Sequence, residues 1–339
     1  MNKVYSAMSG GVDSSVATHL LMEAGYDVEG ITMLLTEDDS AVAKAQAICR
    51  DFGIGHRTLD LREEFREEII EAFVRDYEEA RTPNPCTLCN KLIKFGRLLD
   101  AAEGGKLATG HYVKIEKSEQ NDRWLIRKAD YLEKDQSYFL YSLGQDVLSR
   151  ILTPLGHYTK PEVREIAANE GIASAKSKDS QDVCFIKGSY SDFIEEYRGH
   201  GYASGDFVDM DGNVLGTHKG IIYYTVGQRK GLGLALKAPA YVHHIDASAN
   251  KVVLSDNESL FSRELIARDF NWVAIARPDE PFRAKARIRY RHKEADCTVY
   301  PESDGCARIV FDKPQRAITP GQAAVVYHDD ILIGGGRII

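Results

Sequence analysis

Ser9-Gly10-Gly11-Val12-Asp13-Ser14-Ser15 is the stretch of this chain best suited to hold a polyphosphate. Its adjacent glycines let the backbone approach an anion with no Cβ in the way. Ser14 and Ser15 add hydroxyl donors where a helix N-terminus already favours negative charge. The pattern is not a Walker loop, since no Gly-Lys-Ser/Thr follows, and it lacks the Gly-x-Gly-x-x-Gly spacing of a dinucleotide fold. Asp13 is the odd member. A carboxylate beside a polyphosphate calls for a cation between them, which points to Mg²⁺ bridging Asp13 and the phosphates.

Thiols offer a second chemistry. Of the six cysteines, Cys86 and Cys89 form a Cys-x-x-Cys pair in a loop stiffened by Pro83 and Pro85. That loop delivers Cys89 to the start of a helix predicted over 90–99, where Lys91 and Lys94 should help the thiol ionise and make it a candidate nucleophile. A zinc knuckle is the alternative, but no second Cys-x-x-Cys or His pair completes four ligands. Cys184 ends a polar, lysine-bearing loop that offers few apolar anchors, so the loop should be mobile. Val183 and Phe185 flank Cys184, and composition leaves open whether it is functional or core. Cys49 lies on the apolar face of a helix predicted over 41–52, and Cys297 and Cys306 flank a predicted turn; all three are expected to be structural.

The elements that must position these groups begin with an apolar run at 4–8, through Ala7 and Met8 into the glycine loop, followed by an apolar helix from residue 16. A second strand–helix unit follows at 28–34 and 41–52. Strands alternating with helices imply an α/β fold, an N-terminal doubly wound parallel sheet that binds ligands at the carboxyl ends of its strands. Met33 ends the second strand, and Gly110 and His111 end a strand predicted over 107–112, so all three would face that crevice. Plain core is the alternative for Met33, and a structural role for His111. Lys134-Asp135-Gln136 precedes a helix-like segment capped by Ser137. Beyond about Tyr197, short strands with turns such as Met210-Asp211-Gly212-Asn213 take over. The chain of 339 residues is too long for one core. It divides into a parallel-sheet domain (1–196), a small mixed central domain (197–256) and a C-terminal all-β, barrel-like domain (257–339). Gly334-Gly335-Gly336 reads as a bulge or turn.

With 43% hydrophobic and 28% charged residues the composition is that of an ordinary globular protein, and no run approaches the roughly 20 apolar residues of a membrane span. Residues 1–3 lead straight into a strand rather than a signal peptide, so a cytoplasmic protein without a membrane partner is expected. The net charge of −8 disfavours a polyanionic partner overall but says nothing of a local patch. Such a patch is predicted on a strand over 283–293, where Arg283, Lys285, Arg287, Arg289, Arg291 and Lys293 alternate with Ala284, Ala286, Ile288 and Tyr290. Cations on one strand face repel one another, and a phosphate backbone would relieve them; a solvated strand face is the alternative.

Six stretches, in order, carry a resemblance: Ser-Gly-Gly-Val-Asp-Ser-Ser at 9–15, Thr-Pro-Asn-Pro-x-x-x-Cys-Asn at 82–90, Thr-Gly-His-Tyr at 109–112, Lys-Asp-Gln-Ser-Tyr-Phe-Leu at 134–140, Lys-Asp-Ser-x-x-x-Cys-Phe-Ile at 178–186 and Tyr-Thr-Val-Gly-Gln-Arg-Lys-Gly-Leu-Gly at 224–233. Together they resemble the tRNA-specific 2-thiouridylase family of pyrophosphate-loop ATPases over nearly the whole chain. The resemblance implies ATP with Mg²⁺ as cofactors, the nucleotide contacting Ala7, Met8, Ser9, Gly10, Gly11, Val12, Asp13, Ser14, Met33 and Gly110. It makes Cys89 the nucleophile and Cys184 the persulfide carrier, leaving a Cys89–Cys184 disulfide after turnover. It places Asn84, Pro85 and Cys86 in a target-base loop, and implies tRNA contacts at His111, Lys134, Asp135, Gln136, Arg289, Tyr290, Arg291 and Gln322. The implied partners are tRNAs with a wobble uridine, those for Lys, Glu and Gln, and a persulfide donor, a cysteine desulfurase or relay protein.

Two departures accompany the resemblance. Position 86 is aspartate in many members and cysteine here, which brings a third thiol near Cys89 and Cys184; three thiols can hold an iron–sulfur cluster with one open iron, an alternative that is not favoured. The segment after Met33 is shorter than usual. Rival readings are a pyrophosphate-loop ligase or amidotransferase for a small metabolite, which needs no paired thiols, and a tRNA-binding protein without catalysis.

Overall fold

A computed structural model of the chain describes residues 3–173 and 183–339. Its first sheet starts with β1 (Lys3–Ala7), which enters α1 (Val12–Glu23) through the glycine loop, then β2 (Asp27–Leu34), α2 (Ser40–Asp51) and β3 (His56–Asp60). The chain then crosses to the other side of β1 to lay down β4 (Lys106–Ala108). After an antiparallel hairpin of β5 (Val113–Lys117) and β6 (Trp124–Lys128) it adds β7 (Ile151–Leu152). The strand order is β3-β2-β1-β4-β7, with every pairing parallel. The order reverses between β1 and β4, so a crevice opens at the carboxyl ends of these two strands. Ala45, Ile48 and Cys49 of α2 are buried, as their spacing requires, and burial pushes the Cys49 thiol up to about 11.

Two helical runs, 62–78 and 85–100, frame the thiol loop. Each contains a π-helical stretch, Arg66–Ile70 in the first and Asn90–Arg97 in the second; such widened turns are frequent beside functional sites. The second run begins earlier than the sequence expectation of residue 90. Asn84 is its N-cap, the side-chain oxygen accepting the Thr87 N–H (3.4 Å), and Pro85 fills the first helical position, where a missing N–H costs nothing. Cys89 therefore sits a turn inside the helix and not at its N-terminus.

A central sheet contains β8 (Gly205–Val208), β9 (Val214–His218), β10 (Tyr241–Asp246) and β11 (Lys251–Ser255), in the order β10-β11-β8-β9. Its apolar face, with Phe207, Val242, Val252 and Leu254, packs on Phe73, Val74 and Tyr77 of the 62–78 helix. The 209–213 turn joins β8 to β9, the Asp209 carboxylate accepting the N–H groups of Asp211 and Asn213.

Six further strands close into an antiparallel barrel: β12 (Phe261–Trp272), β13 (Phe282–Arg287), β14 (Ala295–Pro301), β15 (Ala307–Arg316), β16 (Ala323–His328) and β17 (Ile331–Ile338). They run β12-β15-β14-β13-β16-β17, and β17 pairs back to β12. The β5–β6 hairpin extends this sheet beside β17. Leu107 and Ile126 consequently share one core with Tyr138, Val325, Tyr327 and Leu332. The glycines at 334–336 lie inside β17 rather than in a turn, and the ladder shifts register beside them, next to Gly334 on the β16 side and opposite Gly336 on the β12 side. A Cβ on Gly334 would stand 2.4 Å from the Asn271 carbonyl oxygen, and one on Gly336 2.7 Å from that of Arg268, so barrel closure requires both.

The predicted basic strand needs correction. It ends at Arg287, and its cations do not form one free stripe. Arg283 is forked onto Asp312 (2.6 and 2.7 Å), Arg287 donates to Glu294 (2.9 Å), and Arg289 donates to the carbonyls of Arg316 and Ala317 (2.6 and 2.7 Å). Lys285, Arg291 and Lys293 remain exposed.

Candidate functional site

The loop between β1 and α1 is preorganised from within. Ser14 Oγ donates to the Gly11 carbonyl (3.0 Å) and accepts the Ser9 N–H (3.2 Å), Ser15 Oγ donates to the same carbonyl (2.9 Å), and Gly10 takes a left-handed φ of +71°. No side chain caps α1, so its first N–H groups serve as donors at the rim of the crevice. Ser9 is exposed, whereas Met8, Gly10, Val12 and Ser14 are buried. Ala7 is half-buried in the apolar layer, as is Met33, which bridges two clusters at the end of β2. Gly110 follows β4 directly beneath α1: a Cβ there would lie 2.8 Å from Asp13 C and Ser14 N. Close strand–helix packing accounts for this glycine.

Asp13 already faces a cation, and it is a lysine. Lys160 Nζ donates to both carboxylate oxygens (2.7 and 2.8 Å), and the Tyr112 hydroxyl donates to Oδ1 (2.7 Å). Lys160 thus meets, from within the chain, the charge that the Asp13 carboxylate calls for. Among the described residues, no group of three His, Cys, Asp or Glu side chains is arranged to hold a metal. Lys160 was not read from the sequence. It opens the Lys160–Asn169 helix behind a Thr159/Glu162 capping box. A lysine at that end opposes the helix dipole, and this was the available signal that a carboxylate must come from elsewhere.

The thiols of Cys86, Cys89 and Cys184 lie near one another. Cys89 is half-buried and packs with Leu88, Leu92 and Phe185 on a cluster of Leu61, Phe65, Ile69 and Ile93. Phe185 is wedged between rings, 5.7 Å from Phe65, 5.4 Å from Phe73 and 5.2 Å from Phe193. Cys184 is therefore tethered by its neighbour; residues 174–182, the polar part of the loop on which the expected mobility rests, lie outside the described residues. The expected acidic Cys89 thiol is also corrected. Burial pushes it up to about 11, and Lys94 only partly offsets this. Cys86 and Cys184 are exposed residues, yet crowding around their sulfurs raises both thiols by desolvation, again with Lys94 opposing.

Several residues expected at a tRNA surface have duties inside the molecule. His111 is 8% exposed, bonds Thr109 through Nδ1 (2.7 Å) and is held neutral by burial and by Lys94. Asp135 is 2% exposed and accepts the N–H groups of Ala129 and Ser137 and the Ser137 hydroxyl, so it presents nothing to an external partner. Gln136 exchanges two hydrogen bonds with the Tyr112 backbone. Tyr290 packs its ring, tilted by 41°, at 4.4 Å from that of Phe139. Arg289 is spent on carbonyls, as above. Gln322 donates to the carbonyls of Thr82 and Pro83 (3.0 and 3.2 Å), tying the barrel to the loop that carries Asn84 and Pro85. Lys134 is half-exposed and Arg291 exposed. A crevice of about 200 Å³ lies against Pro85, Thr87 and Leu88, on the side of this helical turn away from Cys86 and Cys89.

Comparison with known proteins adds the following. Residues 2–188 match a tRNA methyl transferase HUP domain, 191–256 a tRNA methyl transferase PRC-barrel domain, and 262–338 an aminomethyltransferase beta-barrel domain. Across 99% of its length the chain is 46% identical to the tRNA-specific 2-thiouridylase MnmA of Clostridioides difficile, covering 98% of that relative. It is 45% identical to the same-named protein of Acetivibrio thermocellus over 99% of both chains. With that of Heliobacterium modesticaldum the identity is 46%, over 99% of this chain and 92% of the relative. The domain descriptions speak of methyl transfer and the relatives of thiolation.

Proposed function

The chain belongs to the tRNA-specific 2-thiouridylase family, and from that premise we propose that it uses ATP to replace the C2 oxygen of the wobble uridine of tRNA with sulfur. The observation that carries this reading is the packing of Cys89 and Phe185 on one apolar cluster, which brings Cys184 to Cys89 across 95 positions of sequence, as a sulfur relay needs and methyl transfer does not.

The N–H groups at the start of α1 hold the phosphates of ATP, and the Asp13–Lys160 pair keeps the carboxylate from opposing them. The uridine C2 oxygen attacks the α-phosphorus and pyrophosphate leaves. The terminal sulfur of a Cys184 persulfide then attacks C2 and AMP departs with the oxygen. Cys89 attacks Cys184 Sγ, freeing the thiolated base and leaving a Cys89–Cys184 disulfide. Mg²⁺ bound with the nucleotide would supply neutralisation of phosphate charge beside residues 9–15. Lys285, Arg291 and Lys293, with Lys134, supply cations for the tRNA backbone. Substrates are tRNAs for Lys, Glu and Gln, the sulfur comes from a persulfide-bearing protein, and a tRNA substrate implies the cytoplasm; no described helix is long and apolar enough to cross a membrane.

The test is mass spectrometry of nucleosides from tRNA incubated with the protein, ATP, Mg²⁺ and a persulfide donor. 2-Thiouridine with one AMP and one pyrophosphate per base is expected. Methylated uridine, or ATP turnover without sulfur in the tRNA, would overturn the proposal.

A further inference from the structure

The relay above uses two thiols, yet a third lies beside them. Cys86 and Cys89 occupy positions i and i+3 of one helical turn, Pro85–Cys89, and share the face away from the Pro85–Leu88 crevice. Ideal helix geometry, with a radius of about 2.3 Å and a rise of about 1.5 Å per residue, puts their Cα atoms about 5 Å apart. This lies inside the Cα range of disulfides, roughly 4.4–6.8 Å, and a small opening of the first helical turn brings the Cβ atoms from about 5–6 Å to the roughly 4 Å that the bond needs. All three thiols are free, and Cys86 is exposed while Cys89 is half-buried. Cys89 feels the charge of both Cys86 and Cys184, and Cys184 that of Cys86, so the three thiols are neighbours.

We propose that Cys86 is a second resolving thiol, which takes the disulfide over from Cys184 after sulfur transfer. This rests on the thiolation reading above. The Cys86 thiolate attacks Cys89 Sγ in the Cys89–Cys184 disulfide. A Cys86–Cys89 bond forms, the Cys89–Cys184 bond breaks, and the electron pair leaves on Cys184 as thiolate. No oxidant is consumed. Cys184 is released on its exposed site to accept another sulfane sulfur. A dithiol reductant then reopens the Cys86–Cys89 bond with two electrons and two protons, approaching at exposed Cys86 and returning both thiols.

The experiment is one turnover of the full chain on tRNA with ATP and a Cys184 persulfide, without reductant, followed by alkylation and peptide mass spectrometry. In the wild type, a Cys86–Cys89 disulfide and an alkylated Cys184 are expected. In Cys86→Ser, a Cys89–Cys184 crosslink should persist and alkylation of Cys184 should be lost. A role of Cys86 in tRNA binding alone would not change which sulfurs are joined. A wild-type Cys89–Cys184 crosslink with Cys86 alkylated would overturn the exchange while leaving the thiolation reading intact. Thiolated tRNA with neither disulfide would overturn the persulfide route and the exchange with it.

Discussion

Replacing Lys160 by methionine keeps the stem of the side chain and removes its ammonium, leaving the Asp13 carboxylate to the Tyr112 hydroxyl and solvent. At 2.7–2.8 Å and an effective dielectric of about 20, the lost attraction is about 6 kcal/mol. Most of it offsets the cost of drying the ammonium, which is only 8% exposed. The Asp13 side chain is 34% exposed, so solvent screens the pair, and the net coupling should be about 2 kcal/mol, in the range of charge-assisted hydrogen bonds. A double-mutant cycle of Lys160→Met and Asp13→Asn, followed by urea unfolding, isolates this quantity from other contacts of either residue. ATP affinity supplies a second readout with a distinctive sign. Lys160→Met leaves an uncompensated carboxylate at the phosphate loop and should weaken ATP binding about tenfold, one factor of roughly 1.4 kcal/mol, and adding Asp13→Asn should restore part of the loss. A coupling below about 0.5 kcal/mol, the usual scatter of independent sites, would refute the reasoning. So would a double variant that binds ATP no better than Lys160→Met alone.

With its thiol pushed up to about 11, Cys89 should react with iodoacetamide about tenfold faster per unit of pH between roughly pH 7 and 10, because the thiolate is the nucleophile; a plateau near pH 8 would contradict the burial argument. Gly110→Ala forces a Cβ within 2.8 Å of the α1 backbone and should cost about 1–3 kcal/mol in unfolding free energy, with ATP binding lost alongside; a neutral substitution would show that α1 can shift. Joint replacement of Lys285, Arg291 and Lys293 by alanine should lower the log–log salt slope of tRNA binding by about 0.7–0.9 for every phosphate that is no longer neutralised, while thermal stability stays unchanged. Arg287→Ala should do the reverse, breaking its bonds to Glu294 and Asp135 and lowering the melting temperature; an equal loss of tRNA affinity in both variants would return Arg287 to the RNA surface.

What could be read from the sequence was local. The strand, glycine loop and helix at 3–23 are contiguous, so each residue's neighbours in space are its neighbours in the chain. Lys160 meets Asp13 across 147 positions, and nothing near either residue names the other. The same limit governs the basic strand. Alternation placed Arg283, Arg287 and Arg289 on one face, but Asp312, Glu294 and the 316–317 carbonyls arrive from other segments of the barrel and occupy them. At Cys89 the error was of a different kind. Asn84 and Pro85 are a legible cap and first-turn pair, and reading them as a stiff loop moved the helix start beyond the thiol; the burial that raises its pKa comes from the distant cluster of Leu61, Phe65, Ile69 and Phe185, which local spacing does not reveal.

The barrel has a structural duty at the loop proposed to react, in addition to the cations that it displays. The Thr82 N–H donates to the Pro320 carbonyl, Gln322 holds the carbonyls of Thr82 and Pro83, and a Cβ on Gly321 would strike the Thr82 carbonyl at 2.8 Å. Arg81 and Arg337, one on the loop and one on β17, converge on Asp76 of the 62–78 helix. The helix bearing Cys86 and Cys89 thus starts from a strut fixed at the barrel on one side and, through Asn90 to the Phe139 carbonyl, at the shared core on the other. The proposed sulfur relay needs its thiols held to within about an ångström of each other's line of attack. A loop pinned by backbone bonds to a closed barrel meets that demand, which a free Pro-rich loop on the sheet domain would not.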